Sequence, residues 1–241
     1  MKKLLLACLT LCLGSFILYG QKKVEFPSKD GILISADLYF LSDTLPYMIL
    51  CHQDGSSRGE YSESARKFTK FMYNALAIDM RSGAESNEVK NETYERAHEK
   101  NKPTTYADAE QDILAAIEYA YNKSKKKVVL VGSAYSGSLV MKIAAKDPHV
   151  KAVIAFSPGE YFGKGHSFKE NIKTIPVPVF VTSSKEEATV LAKFMSETTS
   201  PAKQLFTPAS KGDHGSKALW KENQNSHEYW LAILMFMRQV H

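Results

Sequence analysis

The sequence predicts an α/β chain built as one mostly parallel sheet of about eight strands, with helices on both faces and no large lid. Three observations lead there. Short β-branched or apolar runs alternate with longer segments of helical periodicity. The 241 residues are 44% hydrophobic and 24% charged, which suits a single compact core and neither a fibre nor a disordered chain. Only about twenty residues separate the strand that closes at Phe156 from the one that opens near Val177, room for a short helix but not for a lid domain.

The expected strands are 24–26, 32–40, 47–51, 75–78, 127–131, 152–156, 177–181 and 204–207. Lys29-Asp30-Gly31 is a turn signal, so the first two read as an antiparallel hairpin. The clearest helix is 105–121, where Tyr106, Ala109, Ile113, Ala116, Ile117 and Ala120 recur every three or four residues. A last helix over 217–240, carrying Trp220, Tyr229, Trp230, Ile233, Leu234 and Phe236, should close one face of the sheet.

Lys2 and Lys3 precede an apolar run from Leu4 to Tyr19, followed by Gly20-Gln21, the layout of a secretory signal peptide. The chain therefore divides into a signal segment, 1–20, and one domain, 21–241, exported to the periplasm or the extracellular space. Leu5-Leu6-Ala7-Cys8 offers a competing lipid-attachment reading, and the run falls slightly short of the about 20 apolar residues of a spanning helix. Cys8 and Cys12 leave with the signal segment, so the mature domain keeps Cys51 alone and forms no internal disulfide. The formal charge of +5 includes two lysines that leave, and the Lys125-Lys126-Lys127 run reads as a solvated loop before a strand. Basic residues do not cluster with aromatics as nucleic-acid binding requires. Metal-ligand spacings and Gly-rich phosphate loops are missing too, so no cofactor and no metal are expected.

The chemistry concentrates in 127–148, a buried strand, a tight turn of small residues and an amphipathic helix. This is the setting of a nucleophile elbow, where a sharp turn exposes one tip residue above a helix N-terminus that favours developing negative charge. In the natural register Gly132 and Ser136 are the small flanks and the tip is Ala134, whose methyl group cannot attack a carbonyl. Ser133 should point to the other side of the turn. A register two residues later would make Ser136 an alternative nucleophile between Ala134 and Ser138, although Gly132 would then sit in the strand. Glu187 follows the strand 177–181 and His214 lies in Gly212-Asp213-His214-Gly215 before the last helix, which gives the chain order nucleophile, acid, base. Glu186 competes with Glu187, and either acid could simply cap a helix. Leu50-Cys51-His52-Gln53 closes the third strand, where the Gln53 N–H can donate to an oxyanion beside the N–H of Tyr135. His52 reads as structural; His166, His227 and His241 have no comparable setting.

On these residues the chain, over about 24–240, resembles the α/β-hydrolase superfamily, and more narrowly its small lidless esterase and dienelactone-hydrolase-like group. His52 to Tyr61, Asp79-Met80-Arg81-Ser82-Gly83 and Phe156-Ser157-Pro158-Gly159-Glu160-Tyr161 look like the matching stretches of secreted bacterial hydrolases. Relatives of that kind carry an elbow like Gly-Ser-Ser-Tyr-Ser, so Ala134 stands where the second serine would be. The resemblance implies Glu187 as acid, His214 as base and Gln53 with Tyr135 as oxyanion donors, acting on a small-molecule acyl ester. Two function classes follow. One is a hydrolase whose activity survives through Ser136 or an activated water, or in which Ala134 is an introduced substitution. The other is a pseudoenzyme that binds an acyl-type ligand or a protein partner in the same pocket, and a purely structural domain is a third, blander option. Fold analogy gives the reaction class but not the substrate.

Overall fold

The computed structural model describes residues 20–163 and 167–240. The signal segment with Cys8 and Cys12, except for Gly20, lies outside the described residues, as do His166 and His241.

Eight strands form one sheet in the order β1-β2-β4-β3-β5-β6-β7-β8: β1 (Gln21–Pro27), β2 (Leu33–Tyr39), β3 (Tyr47–Cys51), β4 (Asn74–Ile78), β5 (Val128–Ser133), β6 (Val150–Phe156), β7 (Val179–Thr182) and β8 (Lys203–Phe206). The β1–β2 and β2–β4 pairs are antiparallel, and every pairing from β4 to β8 is parallel. All eight expected strands are present, with bounds that shift by up to three residues.

The two-residue period of a strand explains how one sheet feeds two cores. Ile49, Leu76, Leu130 and Val153 face one side, under α3 (Glu110–Ser124) and α4 (Tyr135–Ala144). Met48, Leu50, Val129, Val131 and Ile154 face the other, under Phe68 of α1 (Ala65–Phe68) and Ile233 and Phe236 of α7 (Ser226–Met237). Between α1 and α3 lies α2 (Glu92–Glu99), which follows a short hairpin pairing Glu85–Ser86 with Val89–Lys90 and which periodicity did not reveal. The remaining helices are α5 (Phe168–Asn171), in the short connection between β6 and β7, and α6 (Ala188–Ser196).

Two helix bounds differ from expectation. The helix expected over 105–121 begins at Glu110, because Asp108 accepts from the Thr105 N–H and turns the chain before the helix starts. The helix expected over 217–240 begins at Ser226. A 3-10 turn, Gly215–Leu219, precedes it, and Asn223 then donates to the Ala218 carbonyl and accepts from the Asn225 N–H, an asparagine-made turn that separates Trp220 from the helix. Among the described residues no helix is long and apolar enough to cross a membrane.

Candidate functional site

The C-terminal ends of the parallel strands meet at Ala134, between β5 and α4. Gly132 can have no side chain, since a Cβ there would lie 2.5 Å from the Ser136 carbonyl oxygen. The chain then turns through Ala134 at φ 53° and ψ −118°, a positive φ that a residue with a Cβ adopts only under strain. Ala134 donates its N–H to Phe156 O at 2.8 Å, which fixes the strained tip to the end of β6. The N–H of Tyr135, first in the helix, has no acceptor among the described residues.

Neither neighbouring hydroxyl is available. Ser133 is fully buried and its Oγ accepts from the Ser216 N–H at 2.8 Å. Ser136 is fully buried as well; its Oγ donates to Cys51 O at 2.8 Å and accepts from the Ser133 N–H at 2.8 Å. The register that would expose Ser136 is therefore not adopted: the helix starts at Tyr135, and the Ser136 hydroxyl ties the elbow to the end of β3.

The acid and base candidates do meet. His214 Nδ1 lies 2.6 Å from Glu187 Oε1. The other carboxylate oxygen accepts from Ser157 Oγ at 2.9 Å, Ser184 Oγ at 2.7 Å and the Ser184 N–H at 3.1 Å. Burial pushes the Glu187 carboxyl up and is the largest single influence, but the hydrogen bonds from His214, Ser184 and Ser157 together bring it down to about 2. The bond from Glu187 raises His214 above its ordinary 6.5, against the burial that lowers it. Glu186 makes no such contact and lines the adjoining pocket. The loop after His214 is pinned to the elbow: a Cβ on Gly215, at φ 69°, would come within 2.6 Å of both Ser133 Oγ and Gln53 Oε1, and its N–H donates to Ser157 Oγ.

The pair sets a pH window. The depressed Glu187 contributes stability above its unfolded value near 4.5 and loses it as pH falls toward 2; the raised His214 contributes below 6.5 and loses it as pH rises through its raised value. Replacing Glu187 by Gln is expected to return the His214 titration, followed by NMR, toward 6.5; an unchanged titration would mean that the carboxylate does not govern this imidazole.

The oxyanion side needs a correction. The N–H of Gln53 is not open: it donates to Glu60 Oε2 at 2.9 Å. Glu60 is fully buried, its other oxygen accepts from Ser216 Oγ, and its main-chain carbonyl accepts from Trp220 Nε1. A carboxylate already on that N–H repels a second anion there. The next N–H along, that of Asp54, has no acceptor among the described residues. His52 is fully buried; its Nε2 accepts from the Met80 N–H at 2.9 Å, so its Nδ1 carries the proton and donates to Gln53 O at 2.7 Å. It is a fixed brace of the loop.

Glu60, Ser157, Ser184 and Ser216 were not singled out from the sequence, although Glu60 and Ser157 fall within the stretches that resemble secreted hydrolases. Only folding brings them together, from loops after four different strands.

Solved structures with the same architecture include the esterase Pf2001 of Pyrococcus furiosus, at 16% identity and TM-score 0.68, covering 92% of this chain and 93% of that one. The dienelactone hydrolase of Anabaena variabilis is 14% identical with TM-score 0.67, covering 91% and 97%. The hyperthermophilic esterase of the archaeon Pyrobaculum calidifontis is 11% identical with TM-score 0.65, covering 92% and 85%. At such identities the likeness is one of fold, here the α/β-hydrolase fold. No curated protein sequence matches the chain. The model of the dienelactone hydrolase family, however, matches residues 49–205, from β3 through β8 and so across the elbow and the Glu187 turn. That stretch is more than half of the 241 residues, and the chain belongs to the dienelactone hydrolase family.

Proposed function

We propose that this protein is a disarmed hydrolase: an exported receptor that holds an acyl-type ligand, an ester or the carboxylate derived from it, over the elbow without cleaving it. The observation that carries this reading is the set of hydroxyls at the turn. Position 134 offers a methyl group, and Ser133 and Ser136 on either side are fully buried and already hydrogen-bonded. Catalysis by acyl transfer needs a nucleophile within reach of its base, and among the described residues of this turn none is free to act. The Tyr135 N–H still offers a donor to a ligand oxygen at the tip, and the His214 ring held by Glu187 can add a second when it is protonated. Beside Glu187, a cavity of about 450 Å³ lined by Pro158, Tyr161, Val190, Leu191 and Phe194 has the size and apolar surface to take an acyl chain.

Fluorophosphonate labelling of the purified mature protein beside its Ala134→Ser variant tests the reading. Labelling of the variant alone is expected. Labelling of the unmodified protein, abolished by Ser136→Ala, would show that the turn rearranges and that Ser136 acts. Labelling of neither would mean that the elbow no longer supports acyl chemistry even with its hydroxyl restored.

A further inference from the structure

A second cavity opens on the opposite flank of the elbow. In the sheet order β4-β3-β5-β6-β7, the loops after β6 and β7 build the apolar pocket beside Glu187, whereas those after β3 and β4 build a cavity of about 450 Å³ on the other side. Its lining is less apolar and richer in hydroxyl-bearing residues. Its lining includes five hydroxyl-bearing residues, Ser82, Tyr94, Thr104, Thr105 and Tyr106, together with Asp54, and among the described residues that line it there is no lysine or arginine. It is also joined to the elbow. The Tyr106 ring stacks on Tyr135 with centroids 4.5 Å apart and planes 19° apart, and Tyr135 Oη and Ser82 Oγ share a hydrogen bond of 2.5 Å. Tyr135, whose N–H lacks an acceptor among the described residues, thus packs against two lining residues of this cavity, and Asp54 adds to the lining a residue whose own N–H lacks one.

We propose that this cavity is a subsite for a polyhydroxylated alcohol portion of the ligand, of the glycerol or sugar kind, while the acyl portion lies in the apolar pocket. The assignment rests on the reading of the elbow as an acyl-ligand site and names the other half of that ligand. Three alternatives fit less well. An acyl chain would desolvate the exposed Asp54 carboxylate without replacing its hydrogen bonds to water. A carboxylate would face Asp54 with no cation to offset it. An ammonium would find one water-exposed carboxylate, a weak partner. A ligand hydroxyl, by contrast, can donate to Asp54 in a charge-assisted bond and accept from the neighbouring hydroxyls. Tyr106 and Asp54 line the same cavity, and proximity to the Asp54 carboxylate adds to the burial that raises the Tyr106 hydroxyl above its ordinary value.

The test uses the unmodified protein, which binds an ester without consuming it. Glycerol 1-monobutyrate and methyl butyrate carry the same acyl group, and titration calorimetry of each is expected to show the glycerol ester bound about tenfold or more tightly, the value of one or two well-placed hydrogen bonds. Asp54→Asn and, separately, Tyr106→Phe are each expected to shrink that ratio severalfold, with circular dichroism checking that each variant folds. Equal affinities, including no detectable binding of either ester, overturn the subsite; so does a ratio that neither variant moves. Fluorophosphonate labelling of Ala134→Ser reports on the elbow alone, so a failure there sinks the disarmed-hydrolase reading and leaves the glycerol preference to the titrations.

Discussion

Restoring a hydroxyl at the elbow tip by Ala134→Ser is expected to raise kcat on a short acyl ester by about 10⁴–10⁶-fold, the scale on which removing the serine silences a working triad. The size of the effect follows from what is already in place. Ala134 carries the strained backbone of a nucleophile elbow, with φ 53°, so the serine adds an Oγ without a new conformational cost. The Tyr135 N–H has no competing acceptor among the described residues, and His214 is oriented by Glu187 at 2.6 Å. Adding His214→Ala should remove nearly all of the gain. The pH dependence has a definite sign. His214 accepts a proton only when neutral, and its pKa is raised above 6.5 by the Glu187 hydrogen bond, so the rate should rise with pH through that raised value and level off above it. In the Ala134→Ser background Glu187→Gln should move the limb to lower pH. A folded Ala134→Ser protein no faster than its parent, or one whose rate survives His214→Ala, would show that the geometry of the pair is not aimed at the tip.

The limits of legibility in the sequence have physical causes. Strand existence was plain, because a strand buried on both faces is a continuous apolar run, as in Met48 to Leu50 and Val128 to Val131. The elbow was plain too, since few turns demand small residues at Gly132 and Ser136 around a single tip. Glu187 and His214 were acid and base candidates by their order along the chain, and their meeting confirms only that the two loops are adjacent. The oxyanion side was misread because the sequence gives no sign of where a main-chain N–H points. That direction depends on Glu60, seven residues on in a 3-10 turn, folding back onto Gln53. Helix starts at Glu110 and Ser226 were blurred by side-chain turns at Asp108 and Asn223, which local hydrogen bonding decides rather than apolar period. The small α2, with Thr93 and Ala97 as its buried residues, presents too narrow an apolar stripe to register as periodicity.

The largest expected loss of stability lies beside the site rather than in it. Arg81→Ala is expected to cost about 3–5 kcal/mol, the penalty for stripping one partner from a buried ion pair. Arg81 is fully buried. Its Nη2 donates to Asp112 at 2.7 Å and its Nη1 to Asp30 at 2.7 Å, so one guanidinium ties the loop after β4 to the first turn of α3 and to the β1–β2 turn. Its Nε donates to Asp112 at 3.0 Å, and its main-chain N–H donates to the other carboxylate oxygen at 2.7 Å. For a domain of this size the loss corresponds to a fall in Tm of roughly 6–20 °C. Charge and cavity contributions separate by pH. Burial raises Asp112 to about 6 even with Arg81 in place, and without the guanidinium its folded pKa must lie higher still. The folded state then takes up a proton more readily than the unfolded chain, so the variant should recover stability as pH falls and lose it as pH rises. Thermal unfolding at about pH 5.5 and about pH 8 should therefore show the larger deficit at the higher pH, and a joint Arg81→Met and Asp112→Leu replacement should recover part of it. Because Ser82 follows Arg81 and meets Tyr135 at 2.5 Å, the single variant should also loosen the hydroxyl-lined cavity and weaken glycerol ester binding more than methyl ester binding. Equal deficits at the two pH values would place the cost in the space left by the side chain, and the buried carboxylate would then have found another partner.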